Sequence, residues 1–463
     1  MKIILTGATG QIGSRLARIL VDEGHDLICW TRSPASVEGT LPAHCRIEAW
    51  DPDDVQPSRL AGVDTVVHLA GEGIADGRWT DARKKRLVSS RCDTTRNLVD
   101  AMAALSEAQR PKSLVNASAI GFYGERGENL VLEDASAGEG FLAGLCADWE
   151  EEARRAEEFG VRTAIARIGV VLERDKGMLE PVLPLFRLGV AGRLGSGKQW
   201  FPWIHVEDVV GVLKFLIDSD ELSGTWNAVA PNPVRNSEFT RALASALGRP
   251  ALLPVPAFAL KLAFGELAAL MLASTRTDGS AIARAGYQFV HPDIESAVAE
   301  VASTDEQLIV REQYFDRSLE EVFAFFSDPR NLEELTPDFL NFSIVEIPEG
   351  DLQTGSEIRY RISLRGIPIG WRTEIRDWVD QEQFVDEQMS GPYALWHHTH
   401  TFEEDGEGTL MRDVVRYRLP LGALGRLVAG RWVDSDLDRV FSYRFTRMEE
   451  LMAPEPARQQ AAG

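Results

Sequence analysis

The chain has 463 residues, of which 44% are hydrophobic and 26% charged, and this composition is typical of a globular protein with two or three domains. Its formal net charge of −22 argues against nucleic acid or an anionic membrane as a partner. The sequence shows no signal peptide, no long apolar run and only four scattered cysteines, so we expect a cytoplasmic protein with reduced thiols.

Strand and helix patterns alternate over residues 1–302. Ile12, Leu16 and Leu20 share one face of the first helix, which separates two apolar strands. Such alternation predicts a parallel sheet covered on both sides, the doubly wound arrangement of a Rossmann-type α/β fold. A small C-terminal substrate/cap subdomain is expected as well. The cap is expected mainly at residues 172–200 and 230–300. Buried strands are predicted at residues 3–5, 26–30, 65–70, 113–117 and 162–168.

A different pattern follows a short polar linker at residues 303–306. Ser318 and Glu321 form a capping box that predicts the start of a helix. The order of strand, helix, strands and long helix predicts an α+β domain over residues 307–452, with an antiparallel sheet wrapped on a helix. Residues 453–463 are predicted to be a disordered tail. The strands are expected at 307–315, 358–364, 393–402 and 409–419, and the long helix at 434–451.

A glycine-rich turn joins the first strand to the first helix. Gly7, Gly10 and Gly13 have the spacing Gly-x-x-Gly-x-x-Gly. Glycine lets the backbone approach a pyrophosphate closely, and the helix N-terminus offers free N–H groups and a positive dipole end. We therefore expect a dinucleotide site, the alternative being a glycine-rich turn in an unrelated α/β fold. The residues of the turn expected to contact the cofactor are Gly7, Thr9, Gly10, Gln11, Ile12 and Gly13.

The end of the second strand predicts NADP(H) rather than NAD(H). NAD-binding proteins place an acidic residue there for the ribose hydroxyls, whereas this chain has Thr31 and Arg32. Without a carboxylate to repel it, a 2′-phosphate can pair with the Arg32 guanidinium. The alternative is that Arg32 is an ordinary exposed residue.

Further motifs carry a family resemblance. Residues 66–71 (Val-Val-His-Leu-Ala-Gly), 120–124 (Ile-Gly-Phe-Tyr-Gly) and 203–208 (Trp-Ile-His-Val-Glu-Asp) resemble the extended short-chain dehydrogenases/reductases. Residues 71–79 and 195–200 resemble the branch of NAD-dependent epimerase/dehydratase-like chains called epimerase family proteins. The resemblance covers about residues 1–300, and because dimers are frequent in the superfamily a homodimer is one expected state.

The same resemblance implies further cofactor contacts. Leu69 and Ala70 would line the adenosine side of the cofactor groove, and Gly71 is counted with them. Arg91 and Arg167 would contact phosphate or ribose, or would instead form structural salt bridges.

The usual catalytic residues of that superfamily are replaced here. Its members use a Tyr-x-x-x-Lys pair with a Ser or Thr as a general acid/base arrangement. Phe141 or Leu142 takes the place of the tyrosine and Leu145 or Cys146 that of the lysine, while the Ser/Thr place is Ala119. The catalytic residues are therefore unknown, with Tyr123 and Ser118 as weak candidates. His205 is expected to be a structural hydrogen-bonding residue.

The second region resembles the SRPBCC superfamily of START-like and polyketide-cyclase-like domains. That resemblance implies a helix-grip fold around an apolar cavity. On one strand Trp396, His398 and His400 share a face, which favours a ligand pocket with a few polar anchors over plain sheet packing. No metal is expected, because no third ligand is placed by the sequence. The expected pocket residues are Phe323, Trp371, Trp396, His398 and His400.

These observations favour an NADP(H)-binding oxidoreductase whose second domain captures a small hydrophobic or carbonyl-bearing molecule. A second hypothesis is a non-catalytic NADP(H) sensor or ligand carrier, which the replaced catalytic residues support. A third places cyclase-like chemistry in the C-terminal domain.

Overall fold

The computed structural model describes residues 1–37, 39–174, 176–302, 306–364 and 366–453. The chain divides after residue 304 into two compact units, except that Ser33–His44 belongs with the second unit. The predicted linker and tail, apart from residues 306 and 453, lie outside the described residues.

The first unit is built on one large parallel sheet flanked by helices. Its strands and helices, in chain order, are β1 (Lys2–Thr6), α1 (Gln11–Asp22), β2 (Asp26–Thr31), β3 (Arg46–Ala49), β4 (Thr65–His68), α2 (Asp81–Val88), α3 (Thr94–Ala103), β5 (Ser113–Ala119), β6 (Leu130–Val131), α4 (Phe141–Arg154), β7 (Arg162–Ile168), β8 (Val170–Leu172), α5 (Leu179–Arg187), β9 (Trp200–Phe201), β10 (Trp203–His205), α6 (Val206–Asp218), β11 (Gly224–Ala228), β12 (Val234–Arg235), α7 (Asn236–Ala246), α8 (Ala257–Phe264), α9 (Leu267–Leu272), β13 (Arg276–Thr277), α10 (Ser280–Arg284) and α11 (Ile294–Ala302).

The order of the strands confirms a Rossmann-like doubly wound sheet. Seven strands lie in the order β11, β7, β5, β4, β1, β2 and β3, and every neighbouring pair is parallel. The order reverses beside β1, so the carboxyl ends of β1 and β4 border the crevice where such sheets bind ligands. β4 ends at His68, two residues before the end of the predicted strand, so Leu69 and Ala70 lie just beyond it.

A second apolar core holds the region predicted as the cap. It joins α5, α7 and α11 through buried side chains that include Leu183, Leu243 and Val298. Several large side chains after α7 are instead exposed, among them Phe258 and Leu262.

The second unit is an antiparallel sheet packed against helices. Its elements are β14 (Gln307–Phe315), α12 (Leu319–Phe326), β15 (Ser343–Glu346), β16 (Glu357–Leu364), β17 (Ile367–Val379), β18 (Gln383–Ser390), β19 (Leu395–Asp405), β20 (Gly408–Arg418) and α13 (Ala423–Met452). The seven strands lie in the order β14, β20, β19, β18, β17, β16 and β15. The Ser318 hydroxyl accepts a hydrogen bond from the Glu321 N–H, so the predicted helix start is confirmed.

Two elements of this unit differ from the prediction: α13 is longer than predicted, and β17 is an additional strand. α13 has 30 residues and begins at Ala423, well before the predicted start. β17, with 13 residues, was not singled out, because Pro368 and Gly370 interrupt its alternating pattern near the beginning. Among the described residues, no helix is both long and apolar enough to cross a bilayer.

Candidate functional site

The glycine-rich turn brings the first helix close to the ends of β1 and β4. Gly7 has φ of +72°, a left-handed conformation that favours glycine, and a Cβ there would lie 2.7 Å from the Leu69 carbonyl carbon. A Cβ on Gly13 would clash with the Gly7 carbonyl oxygen. Gly10 precedes α1 and supplies no capping side chain, so the first N–H groups of α1 are open to an anion.

The other residues predicted within the turn lie at its surface. Thr9 and Gly10 are exposed, whereas Gln11 and Ile12 are half-buried at the beginning of α1. All four residues lie at, or within two residues of, the N-terminal end of α1.

Thr6 and His68 form a polar pair that supports the turn and that sequence reasoning missed. The Thr6 hydroxyl lies 2.7 Å from His68 Nδ1 and accepts a hydrogen bond from the Ala70 N–H at 3.3 Å. His68 is fully buried, and burial together with the nearby Arg91 charge lowers its pKa to about 4. His68 falls within the Val-Val-His-Leu-Ala-Gly motif, which was the available signal.

The end of β2 presents a basic side chain to solvent. Thr31 is half-buried and Arg32 is exposed, and no residue that the structure describes forms an ion pair with Arg32. Trp30, the last buried residue of the strand, stacks on Trp50 at 6.0 Å and lies under Arg59 at 4.5 Å. The buried part of β2 thus ends in a packed tryptophan, whereas Arg32 just beyond the strand is accessible.

Arg91 lies against the backbone that follows β4. It belongs to a wide helical turn between α2 and α3, and it donates hydrogen bonds to the carbonyl oxygens of Glu72 at 2.9 Å and Leu87 at 3.4 Å. A Cβ on Gly71 would lie 3.1 Å from its guanidinium carbon. Gly71 and Arg91 therefore form one side of the crevice beyond β4.

Arg167 instead lies in a buried ion pair. Its guanidinium makes two hydrogen bonds of 2.8 Å to the two carboxylate oxygens of Glu150, and its Nη1 donates to the Tyr123 hydroxyl at 2.7 Å. The Ser118 hydroxyl donates to Glu150 Oε1 at 2.7 Å, and the Tyr123 hydroxyl donates to Asn227 Oδ1 at 2.6 Å. This is the structural arrangement that sequence reasoning left open as the alternative to a cofactor contact.

The same network engages both weak catalytic candidates. Tyr123 is fully buried, and burial raises the pKa of its hydroxyl although Arg167 opposes the shift. Ser118 is 3% exposed, and its hydroxyl faces Glu150. Glu150 and Asn227 were not anticipated, because a carboxylate in an acidic stretch gives no local sign of a buried partner.

The positions of the missing catalytic pair hold apolar side chains and a thiol. Phe141 packs against Trp79 at 5.4 Å, and Leu145 is buried. Burial raises the pKa of the Cys146 thiol to about 12, so the thiol stays protonated at neutral pH. His205 is the N-cap residue of α6, and its Nε2 lies 3.0 Å from Glu300 Oε2.

Four of the predicted pocket residues, Trp371, Trp396, His398 and His400, lie on the inner face of the second unit's sheet, and the fifth, Phe323, lies on α12. Trp371 and Trp396 are perpendicular at 5.3 Å, and Phe323 packs against Phe402 at 5.3 Å. The rings of His398 and His400 lie 3.9 Å apart. A cavity between the sheet and α13, bounded by Gln313, Asp413, Phe441 and Met448, is large enough for about one water molecule.

The charges on this inner face belong to a buried cluster. Burial and the neighbouring His398 lower the pKa of His400 to about 3. Burial alone would raise the pKa of Asp413, but His400, Arg444 and His398 together hold it well below its ordinary value. Asp413 is therefore a buried carboxylate in its charged form.

Comparisons of the sequence cover the first unit. Residues 3–228 match the profile of the NAD dependent epimerase/dehydratase family, and residues 255–301 match a domain of unknown function named DUF1731. An epimerase family protein of Mycobacterium bovis is 41% identical over 299 residues, which are 64% of this chain and 96% of that protein.

Two solved structures of epimerase-type proteins are also similar to this chain. The crystal structure of the human epimerase family protein SDR39U1 (isoform 2) with NADPH is similar with a TM-score of 0.58 and 30% identity, over 66% of this chain and 100% of that chain. A nucleoside-diphosphate sugar epimerase from Corynebacterium glutamicum is similar with a TM-score of 0.53 and 32% identity, over 65% of this chain and 58% of that chain.

Proposed function

The chain belongs to the NAD-dependent epimerase/dehydratase family, and on that premise we propose that its first unit binds NADP(H) in an oxidoreductase whose second unit captures a small hydrophobic molecule. The pyrophosphate would sit on the open N-terminus of α1, against the glycine turn. Leu69, Ala70 and Gly71 would border the adenosine. The human protein that was crystallised with NADPH supports this choice of cofactor.

Arg32 is the residue on which the preference for NADP(H) depends. It is exposed at the end of β2, where a carboxylate would otherwise receive the ribose hydroxyls, and its planar fork matches a phosphate. Arg91 would face the crevice beside Gly71. Arg167 has its hydrogen-bonding capacity directed to Glu150 and Tyr123, so we assign it to the support of the site.

Calorimetric titration of the full chain with NADPH, NADP⁺, NADH and NAD⁺ tests the cofactor. Arg32→Ala should weaken NADPH and NADP⁺ binding by about 10- to 100-fold, the effect of losing charge-assisted hydrogen bonds, and should leave NADH within about twofold. Arg249→Ala removes the same charge from an exposed position after α7 and should change none of the affinities. Equal losses for the two cofactor pairs, or a wild-type preference for NADH, would contradict the proposal.

The second unit resembles a helix-grip domain of the SRPBCC type, and this resemblance supports a hydrophobic ligand there. The order β14, α12, six further strands and the long α13 encloses an aromatic inner face. Carrying the ligand and the cofactor on one chain raises their effective concentration. Hydrophobic carbonyl compounds should therefore accelerate NADPH oxidation by the full chain; a broad panel that neither binds nor changes the rate would refute this part.

One observation favours a second candidate, a non-catalytic NADP(H) sensor. Ser118 and Tyr123 carry the two hydroxyls that could transfer a proton. Both hydroxyls form hydrogen bonds within the buried Glu150–Arg167 network. A sensor would distinguish NADPH from NADP⁺ in binding and would turn over neither. The calorimetric and kinetic experiments above separate these two functions.

A further inference from the structure

Four polar side chains converge on the inner face of the second unit's sheet. His398 and His400 are two residues apart on β19 and therefore point to the same side. The strand register pairs Asp386 of β18 with His398, and Asp413 of β20 with His400. Residues that face each other across paired strands share a face, so all four side chains meet in the centre of the sheet.

The cluster is compact, and three of its four side chains are buried. His398 and His400 are each 3% exposed and Asp413 is 4% exposed. One ligand atom from each of Asp386, His398 and His400 lies within 4.8 Å of the other two. The Thr373 hydroxyl donates to Asp386 Oδ1 at 2.6 Å and fixes that carboxylate.

The polar atoms of the cluster are not satisfied by one another. Asp413 Oδ1 lies 2.6 Å from His400 Nδ1 and 3.1 Å from His398 Nε2, but these contacts lack the directions of hydrogen bonds. All three atoms are buried and have no hydrogen-bond partner among the described residues. Native proteins rarely leave such buried atoms unpaired without a water or an ion.

The chemistry of the donor set indicates what would satisfy it. Two carboxylates and two imidazoles form the group, in which Asp386 is half-buried and the other three side chains are buried. Two imidazoles with one carboxylate are ligands that Zn²⁺ and Fe²⁺ accept, and they leave a coordination position open.

We propose that Asp386, His398 and His400 bind a divalent transition-metal ion, for which Zn²⁺ is the best match, inside the second unit. Asp413 Oδ1 lies within 3.1 Å of one ring nitrogen of each histidine and is therefore a further carboxylate oxygen next to the site. The ion would lie among aromatic side chains. The ring centroids of Phe384 and His400 are 4.5 Å apart, and those of Phe441 and His398 are 5.9 Å apart. Its open position would take a water molecule, since the cavity beside Asp413 has room for about one.

Metal titration of the full chain tests the site. After dialysis against a chelator, the protein should bind one Zn²⁺ per chain by calorimetry, and Co²⁺ should produce visible d–d absorption. His398→Ala and His400→Ala should each weaken binding by more than about 100-fold, and Asp413→Asn by about 10- to 100-fold. His398→Gln and His400→Gln preserve volume and serve as replacements if an alanine variant does not fold by circular dichroism.

Two control variants make the assignment specific. His397→Ala removes a histidine from the same strand on the opposite face, next to Arg416, and should leave Zn²⁺ affinity unchanged. His291→Ala disrupts the group of His205, Glu207 and His291 in the first unit, whose ligand atoms are also close. Absence of stoichiometric binding, an undiminished affinity in both His398 and His400 variants, or a loss on His291→Ala or His397→Ala would overturn the proposal.

Discussion

Arg167 and Glu150 form an ion pair whose two charges are compensated entirely inside the first unit. Arg167 is 2% exposed and Glu150 is fully buried, and Phe122 covers the guanidinium at 3.5 Å. A buried charge is tolerated only while its partner and hydrogen bonds are in place. Removing one member should therefore cost far more than removing an exposed carboxylate.

We expect Glu150→Ala to destabilise the first unit by about 3–5 kcal/mol, because Arg167 would stay buried without its partner. Glu151→Ala makes the same chemical change at the next, exposed position of α4 and should change stability by less than about 0.5 kcal/mol. Urea unfolding measures both. The double variant Glu150→Ala/Arg167→Ala should lose clearly less than the sum of the single losses; additive losses would show that the pair is not coupled.

His68 should make the stability of the first unit depend on pH. Its folded-state pKa of about 4 lies below the ordinary value of 6.5, so the unfolded chain takes up the proton first as the pH falls. Stability should therefore be fully present above about pH 6.5 and decline as the pH falls towards 4. Unfolding midpoints measured across this range should fall less steeply in His68→Gln, and equal slopes in both proteins would contradict the assignment.

At the scale of elements, glycine has different roles in two helices. Gly13 lies in α1 where a Cβ would clash with the carbonyl oxygen of Gly7, whereas Gly144 lies in α4 with open space around it. Contact between α1 and the turn therefore requires glycine at one position and not at the other.

We expect Gly13→Ala to destabilise the first unit by about 1–3 kcal/mol through overpacking, and to weaken NADPH binding. Gly144→Ala is the matched control, since alanine within a helix is favoured over glycine by about 0.5–1 kcal/mol where space permits. Thermal unfolding and calorimetry distinguish the variants. If Gly13→Ala behaved like Gly144→Ala, the close approach of Gly13 to the Gly7 carbonyl oxygen would not contribute to stability.

The start of α12 offers a test in the second unit. The Ser318 hydroxyl caps the helix through the Glu321 N–H at 3.3 Å. Ser318→Ala should destabilise the unit by about 1 kcal/mol, and Ser318→Thr, which retains a capping oxygen, by only a few tenths. Equal urea midpoints for the two variants would argue that the cap contributes nothing.

At the scale of the whole molecule, each unit has apolar cores of its own. Those of the first unit include Leu98 and Leu183, and those of the second include Phe323 and Trp396. Independent cores allow each unit to unfold in its own transition.

NADPH should therefore stabilise one transition of the full chain and leave the other unchanged. At 100 times its dissociation constant, the nucleotide should add about 2.7 kcal/mol to the unit that binds it. Differential scanning calorimetry with and without NADPH measures this. Arg32→Ala should reduce the shift at the same nucleotide concentration, and an equal shift of both transitions would show that the chain unfolds as one cooperative body.

The sequence alone determined what depends on neighbouring residues. The strands β1, β2, β5 and β7, the helix start at Ser318 and the glycine turn all follow from short patterns of polarity and backbone freedom. The sequence likewise shows directly that no acidic residue stands beside Arg32. Interactions across many residues left no such pattern.

The tertiary structure decided which distant side chains meet. Arg167 could have faced a cofactor, and only the packing of α4 against β7 places Glu150 beside it. His398 and His400 were recognisable as neighbours on one face, but their acidic partners come from β18 and β20. The register between strands follows from turns and core packing of the whole sheet, which no local pattern specifies.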